Sequence, residues 1–191
     1  MATRPVSSQF QRVFLALWPD VEQQQSLAQV AHDCVTQCKG RPTVAANIHM
    51  TLVFVGAVTA DQLDQVIQVA CSVDIRSFGL HLDRLGWWPR PKIVWVGCGS
   101  TPPALLAWVT QLRDGLGDHG FRVESRPFQA HVSLVRKARC LPQLDFKGID
   151  WSVNQLCLVR SHLESQGGHY EVLQRWPALA DGAESGLERA S

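Results

Sequence analysis

The fold is decided by residues 47–56, which read NIHMTLVFVG. This run is rich in β-branched and aromatic side chains and is closed by a glycine, which is typical of a buried β-strand. It is interrupted by His49 and Thr51, two positions apart. Because alternate residues of a strand share a face, we expect both polar side chains on one face and the apolar residues on the other. The stretch therefore predicts a strand with its back in a core and an imidazole and a hydroxyl on its front.

The same layout occurs a second time in residues 128–135, which read FQAHVSLV. Here His131 and Ser133 share one predicted face of a strand. None of the other five histidines is followed two positions later by Ser or Thr: His32, His81, His119, His162 and His169. A single histidine on a strand is usually a structural residue. The doubled His-x-Ser/Thr pattern reverses that expectation and favours a function for His49 and His131.

The composition limits the classes of function. The chain has 191 residues, a hydrophobic fraction of 46% and a net charge of +1, which indicate a globular protein with a substantial core. So small a net charge argues against broad electrostatic binding of long nucleic acid, but it allows recognition of one or two phosphates. The N-terminal residues contain no apolar segment with the length of a signal-peptide core, and no apolar run in the chain approaches the length of a membrane span. We therefore expect a cytoplasmic protein without membrane contact, and we expect it to be a monomer.

The six cysteines form no recognisable metal motif, because no Cys-x-x-Cys is present. Cys34 and Cys38, with His32 nearby, could be imagined as metal ligands, but a pair of buried thiols is the more economical interpretation. The set of carboxylates that usually holds a catalytic magnesium is not visible either. We therefore predict an activity that uses no metal and no cofactor.

Helix and strand signals follow one another along the chain. Helices are predicted after Asp20 and after Thr59, each followed three residues later by a glutamine that completes a capping box. A third helix is predicted to open at the prolines 102–103. Strands are predicted at 12–18, 47–56, 78–88, 93–96, 128–135, 151–159 and 170–173, the last two joined across Gly167 and Gly168.

Several strands between successive helices indicate an α+β fold with mainly antiparallel sheets. We predict one domain over residues 1–178, built as two pseudo-symmetric lobes with outer helices that face each other across a central cleft. Each half of the sequence would carry one histidine strand with a helix beside it, and both histidine strands would line the cleft. Residues 179–191 are small, polar and acidic, and we predict a disordered tail there.

With these motifs the sequence resembles the two-histidine (2H) phosphoesterase superfamily. Within it, the closer resemblance is to RNA 2′,3′-cyclic phosphodiesterases of the bacterial and archaeal 2′-5′ RNA ligase type, and it covers residues 10–178. Further supporting segments are RVFLAL at 12–17, RPTV at 41–44, VWVG at 94–97, RPF at 126–128, HVSLVR at 131–136 and YEVL at 170–173. Three departures are Ser133, where threonine is more usual, Ala130, where proline is common, and the segment after residue 178, which has no recognised counterpart.

Two histidines with near-neutral pKa values suit the general acid and the general base of phosphodiester hydrolysis. The sequence is symmetric about these roles; the resemblance implies that His49 is the proton donor to the leaving oxygen and His131 the proton acceptor from water. Thr51 and Ser133 would donate hydrogen bonds to the phosphate, and Arg136 would place a permanent positive charge on it. The resemblance also implies a 2′-phosphate product and some joining of RNA through a 2′-5′ linkage.

Arg136 poses a problem of parity. Five residues after His131, an ideal strand would place it on the opposite face, so we predict that a bulge or the strand end turns it inward. The surrounding segment is basic and would form a cleft mouth that receives an RNA end. It contains Arg122, Arg126, Lys137 and Arg139, with only Glu124 opposing.

Two other functions stay open at this point. A 2H enzyme with the same residues could act on a small cyclic nucleotide or on a 2′,5′-linked oligonucleotide. A protein of a different class, a non-catalytic module that binds an RNA end, would bind without turnover at any pH.

Overall fold

The computed structural model of this protein describes residues 10–162 and 168–178. The predicted tail at 179–191 and the predicted turn residue Gly167 lie outside these ranges. The α-helices of the described residues are α1 (Val21–Cys38), α2 (Ala60–Ser72) and α3 (Pro103–Asp118). The strands are β1 (Gln11–Leu17), β2 (Arg41–Pro42), β3 (Met50–Val58), β4 (Phe78–Leu82), β5 (Arg84–Trp88), β6 (Ile93–Gly97), β7 (His131–Arg136), β8 (Ile149–Val153), β9 (Gln155–His162) and β10 (His169–Pro177).

The three helices begin where the sequence predicts. At the start of α1, the Asp20 carboxylate accepts a hydrogen bond from the Gln23 backbone N–H at 2.8 Å. The Gln23 side chain accepts one from the Asp20 backbone N–H at 3.4 Å. Thr59 and Gln62 form the same reciprocal box at the start of α2. Each box satisfies two backbone donors near a helix start. The first residue of α3 is Pro103, whose missing N–H would have been unpaired there.

Two four-stranded antiparallel sheets make up most of the β structure. The first has the strand order β10-β9-β1-β3 and the second β2-β7-β6-β5, while β4 and β8 pair separately. His49 directly precedes β3 of the first sheet, and His131 is the first residue of β7 in the second. The predicted α+β class and the mainly antiparallel sheets are therefore confirmed.

The helices do not divide between the two halves of the sequence. α1 packs against β7 of the second sheet, whereas α3 packs with α2 against β3 of the first. The prediction of a helix beside the histidine strand of the same half therefore holds for the first half, where α2 lies against β3, and is wrong for the second, where the helix against β7 is α1. The physical reason is a shared core: Leu27 of α1 and Trp108 of α3 are both fully buried in one apolar cluster.

Several predicted strands have different bounds, and the strand predicted at 170–173 is longer, since β10 is His169–Pro177. β3 starts at Met50 because Ala45–Asn47 forms a 3-10 turn, in which the Asn47 N–H donates to the Val44 carbonyl at 2.8 Å. β7 starts at His131 rather than at residue 128. The apolar runs at 78–88 and 151–159 each form two strands, because each run passes from the two-stranded sheet into a four-stranded one.

A single apolar core lies behind both histidine strands. Met50 and Leu52 of β3 and Val132 and Leu134 of β7 are buried in it, so the back face predicted for each strand is confirmed. A smaller cluster covers the other face of the first sheet and contains Phe14, Ala16, Cys157 and Val159. The histidine strands therefore present their fronts away from the main core.

The structure also bears on the cysteines and on membrane contact. Cys34 and Cys38 are buried in α1, and burial raises the pKa of Cys34 to about 12, which supports the interpretation as structural thiols. Among the described residues, no helix combines the length and the hydropathy that a membrane crossing requires.

Candidate active site

A cleft of about 560 Å³ is lined by residues of both sheets. The five residues predicted from the sequence all contribute to its walls: His49, Thr51, His131, Ser133 and Arg136. The other described residues that line it are Phe14, Arg41, Pro42, Thr43, Val44, Asn47, Phe54, Lys137, Ser161, Gly168 and Tyr170. The fold therefore brings two distant segments of the sequence to one site.

His49 is held by the turn that precedes β3. A carbonyl oxygen can only accept, so the 2.7 Å contact between His49 Nδ1 and the Asn47 carbonyl fixes a proton on Nδ1. The other ring nitrogen, Nε2, lies 3.1 Å from Thr51 Oγ1 and accepts a hydrogen bond from this hydroxyl when the ring is neutral. Asn47 is anchored in turn, because its Nδ2 group donates to the Gly168 carbonyl at 2.9 Å. The turn thus sets both the tautomer and the orientation of the imidazole.

Three aromatic side chains surround the His49 ring. Trp18 stacks on it, with 5.3 Å between the ring centroids and 6° between the planes. Phe14 contacts the ring at 4.9 Å in a tilted geometry, and Tyr170 contacts it edge-on at 5.0 Å. These rings replace much of the water that would otherwise solvate the imidazole.

The pKa of His49 follows from these surroundings. Burial disfavours the charged imidazolium and lowers the pKa to about 4. The hydrogen bond to the Asn47 carbonyl opposes the shift, while the positive charges of Arg136 and His131 add to it. In the free protein the ring is therefore neutral at pH 7. An anion that enters the cleft would raise its pKa and favour the protonated form.

His131 is held in the same way by the residue two positions earlier. Its Nδ1–H donates to the Gln129 carbonyl at 2.8 Å, which leaves Nε2 for the cleft. Trp88 contacts the ring edge-on at 4.6 Å. Burial lowers the pKa of His131 as well, against the hydrogen bond to Gln129. The Ser133 hydroxyl has no hydrogen-bond partner among the described residues, so it is available to a substrate.

Arg136 reaches the front of β7 through a β-bulge. In the pairing with β6, the register shifts so that Leu134 and Val135 of β7 occupy the place of one residue. Both are buried, and Arg136 emerges on the same side as Ser133 and lines the cleft. The bulge is one of the two alternatives predicted from the position of Arg136 in the sequence.

The predicted basic mouth is present only in part. Lys137 lines the cleft, whereas Arg122, Arg126 and Arg139 are not among its lining residues. Arg126 instead forms an ion pair with Glu124 at 2.6 Å, which compensates its charge locally.

The residues that surround the two imidazoles were not predicted from the sequence. Trp18 and Tyr170 come from the end of β1 and from β10, so no local pattern links them to the first histidine. Trp88, from β5, reaches the second histidine in the same non-local way. Asn47 could have been found from the sequence, because an amide side chain stands two residues before each of the two histidines: Asn47 before His49 and Gln129 before His131. The doubled pattern is therefore amide-x-His-x-Ser/Thr.

This arrangement defines a class of chemistry. Two imidazoles that present Nε2 to one cleft can take a proton from one group and give a proton to another. Two hydroxyls and a guanidinium provide hydrogen bonds and positive charge for phosphate oxygens. A site of this composition, on two antiparallel sheets that flank one cleft, is that of a two-histidine phosphoesterase.

Comparisons with known proteins agree with this class. The family model described as LigT like Phosphoesterase matches residues 17–95. The RNA 2′,3′-cyclic phosphodiesterase of Escherichia coli (strain K12) is 32% identical over 139 residues, 72% of this chain and 79% of that protein. The protein of the same name from Aeropyrum pernix is 31% identical over 149 residues, 71% of this chain and 85% of that protein. The crystal structure of E. coli LigT complexed with 3′-AMP has a TM-score of 0.82 at 27% identity, covering 90% of this chain and 99% of that chain.

This chain therefore belongs to the LigT-like phosphoesterase family. It is a hydrolase of the cyclic phosphodiesterase type, which leaves the hypothesis of a non-catalytic binding module without support.

Proposed function

We propose that this enzyme hydrolyses the 2′,3′-cyclic phosphodiester end of RNA to a 2′-phosphomonoester. The observation that carries the proposal is the matched pair of imidazoles. His49 and His131 each donate Nδ1–H to the backbone carbonyl two residues earlier, at 2.7 and 2.8 Å, and each lines the same cleft. The RNA substrate is supported by the names of the E. coli and A. pernix relatives.

The proton transfers of the reaction balance between the two rings. Neutral His131 takes a proton from the attacking water at Nε2 as the new P–O bond forms. Protonated His49 gives its Nε2 proton to the 3′ oxygen as the P–O3′ bond breaks, so the phosphate stays on the 2′ oxygen. Thr51, Ser133 and Arg136 stabilise the charge on the non-bridging oxygens. Because acid, base and cation are all side chains, the proposed reaction needs no metal.

Binding of the substrate prepares the acid. In the free protein burial lowers the pKa of His49 to about 4, so few molecules carry the proton at neutral pH. A phosphodiester brings a negative charge within a few ångströms of the ring, and an opposite charge at that distance raises the pKa of an imidazole. The same anion offsets the charge of Arg136, which contributes to the lowered value.

The same geometry extends to RNA joining. If the 5′ hydroxyl of a second RNA replaces water, His131 takes its proton in the same position. The product is then a 2′-5′ phosphodiester, with the 3′ oxygen leaving as before. We propose this as a minor activity, since water competes for the same place in the cleft.

The test is hydrolysis of a short RNA ending in a 2′,3′-cyclic phosphate, in excess EDTA, with the product read by ³¹P NMR. We expect a 2′-phosphate from the wild type and no turnover from His49→Ala or His131→Ala. The exposed His32 lies outside the cleft, and His32→Ala serves as the matched control.

Each other outcome contradicts a named part of the proposal. Turnover in either cleft variant would remove that histidine from the reaction, and a 3′-phosphate product would reverse the leaving oxygen. Loss of activity in EDTA would contradict the metal-free mechanism. A wild type that cleaves only small cyclic nucleotides or 2′,5′-linked oligonucleotides would replace RNA ends by those substrates.

A further inference from the structure

One side of the cleft, where β2 pairs with β7, carries three basic side chains: Arg41, Arg136 and Lys137. None of the described residues that line the cleft is an aspartate or a glutamate. Within the described ranges, none of the three forms an ion pair, since the ion pairs there involve other side chains. This side of the cleft therefore holds uncompensated positive charge.

Arg41 and Arg136 are direct partners in the antiparallel pairing of β2 with β7. Like charges at directly opposite positions repel each other. The backbone nevertheless keeps the two strands close, because Gly40 has a φ of +99° and a Cβ there would lie 2.6 Å from the Arg136 carbonyl oxygen. The Thr43 N–H extends the pairing with a hydrogen bond to the Leu134 carbonyl at 2.8 Å. Two like charges held together in a cleft are the arrangement expected of an anion site.

The scissile phosphate does not account for all three cations. In the proposed reaction it is bound by Arg136 and two hydroxyls, and of the three cations Arg136 is the one whose charge acts on His49. Lys137 lies beyond it, just past the end of β7, at a backbone φ of +58° in the region that favours glycine. At about 3.3 Å per residue, the chain from His131 to Lys137 spans roughly 15–20 Å. Along β7, Lys137 therefore lies one residue farther from the second imidazole than Arg136, and Arg41 lies opposite Arg136 on the neighbouring strand.

The first sheet supplies aromatic surface to the same cleft. Phe54 lines the cleft and is 46% exposed, and the Arg12 guanidinium lies 5.2 Å from the centroid of its ring. Phe14 and Tyr170 are further aromatic lining residues. Sites for single-stranded nucleic acid combine aromatic rings that stack on bases with basic side chains that follow the phosphates. The cleft has both components.

We infer that Arg41 and Lys137 form a second phosphate subsite, which binds the phosphate on the 5′ side of the terminal nucleotide. This inference rests on the proposed function, because it places the cyclic phosphate at the two histidines. The ligand is a phosphate attached to the 5′ oxygen of that nucleotide. It can come from the phosphodiester of a longer RNA or from the 5′-phosphate of a mononucleotide.

Three substrates separate these sources: a nucleoside 2′,3′-cyclic phosphate, the same compound with a 5′-phosphate, and a dinucleotide ending in a 2′,3′-cyclic phosphate. The enzymes are the wild type, Arg41→Gln, Lys137→Gln and the double variant. Arg139→Gln is the matched control, because Arg139 is a neighbouring basic residue that does not line the cleft. The quantity compared is kcat/KM for each phosphate-bearing substrate divided by kcat/KM for the nucleoside compound.

We expect the wild-type ratio to be about tenfold or more, the size of one charge-assisted contact. It should fall to within about threefold of unity in the double variant, stay at the wild-type value in Arg139→Gln, and shrink with added salt in the wild type. A high ratio for the dinucleotide alone assigns the subsite to the phosphodiester of a chain. A high ratio for both compounds assigns it to any 5′-phosphate.

A wild-type ratio near one, or a double variant that keeps the wild-type ratio, would overturn the subsite. Equal losses on all three substrates would place Arg41 and Lys137 at the scissile phosphate instead. If the wild type turns over none of the three substrates, the proposed function fails. The subsite is then tested independently of turnover, by measuring the affinity for an RNA ligand. The probe is then a 5′-fluorescein trinucleotide with a terminal 2′-phosphate, followed by fluorescence anisotropy. Equal affinity of the wild type and the double variant would refute the subsite.

Discussion

Trp18 lies flat against the imidazole of His49, with 5.3 Å between the ring centroids and 6° between the planes. Trp18 is not among the residues that line the cleft, so this contact covers one face of the ring rather than forming part of the substrate surface. His131 has an edge-on tryptophan, Trp88, in place of a stacked one. The two His-x-Ser/Thr motifs are alike in sequence, and the aromatic contacts make their surroundings different.

The first prediction concerns the pH dependence of the wild type. Burial lowers the pKa of His49 to about 4 and lowers the pKa of His131 below its ordinary value. The proposed reaction needs one ring protonated and one neutral, and this state is most populated between the two apparent pKa values. We therefore expect a bell-shaped profile of kcat/KM with its maximum below pH 6.5. A maximum at or above pH 7 would contradict this assignment.

The profile of kcat should lie at higher pH than that of kcat/KM. The parameter kcat reports the enzyme–substrate complex, in which the bound phosphodiester raises the pKa of both histidines. Coincident profiles would show that the bound anion does not act on the histidines.

The second prediction uses Trp18→Leu. Removing the stacked ring exposes one face of His49 to water and raises its pKa toward the ordinary value. The maximum of kcat/KM should then move toward neutral pH by about half a unit to one unit. Titration of the His49 ring by NMR measures the same shift without substrate. Trp88→Leu is the control, since it should leave the NMR titration of His49 nearly unchanged. An unaltered His49 titration in Trp18→Leu would assign Trp18 a purely structural role.

The third prediction concerns stability in acid. The folded-state pKa of His49 is lower than the unfolded value, so between about pH 6.5 and 4 the unfolded chain binds more protons at this residue. The stabilising contribution is thus present above the unfolded pKa and is lost as the pH falls. His49→Gln should remove on the order of 2 kcal/mol of the decrease in the free energy of unfolding between pH 7 and pH 4. Urea unfolding at the two pH values measures it, and an equal decrease in both proteins would count against a buried neutral His49.

The fourth prediction tests the close approach of β2 to β7. Ala at position 40 would adopt a φ that favours glycine, and its Cβ would meet the Arg136 carbonyl oxygen. We expect Gly40→Ala to lower the free energy of unfolding by about 1–3 kcal/mol and to lower kcat/KM by displacing Arg136. Gly117→Ala in α3 is the control, because nothing lies within 4 Å of its Cβ position and alanine favours a helix. If both variants are as stable and active as the wild type, the approach does not constrain Arg136.

The sequence predicts the faces of the histidine strands because the polar side chains sit at strand spacing over buried residues. It does not predict where those strands begin, since the 3-10 turn at Ala45–Asn47 ends inside the strand predicted from residue 47. The parity of Arg136 shows that an irregularity is needed, but only the pairing of β6 with β7 identifies it as a bulge. The contacts of Trp18 and Tyr170 with His49 depend on which strands become neighbours. Local hydrophobic periodicity predicts that a strand exists, but it does not predict the order of strands in a sheet.

The order of strands in the first sheet has a consequence for how the enzyme matures during translation. β1 lies between β3 and β9, and Tyr170, one of the rings around His49, belongs to β10. The strands of the second sheet all lie between Arg41 and Arg136, so they leave the ribosome well before β9 and β10. A nascent chain can therefore complete the Arg136 side of the cleft first, whereas the surroundings of His49 are complete only when β9 and β10 have been made. Activity should appear in a single step, after β10 has left the ribosome.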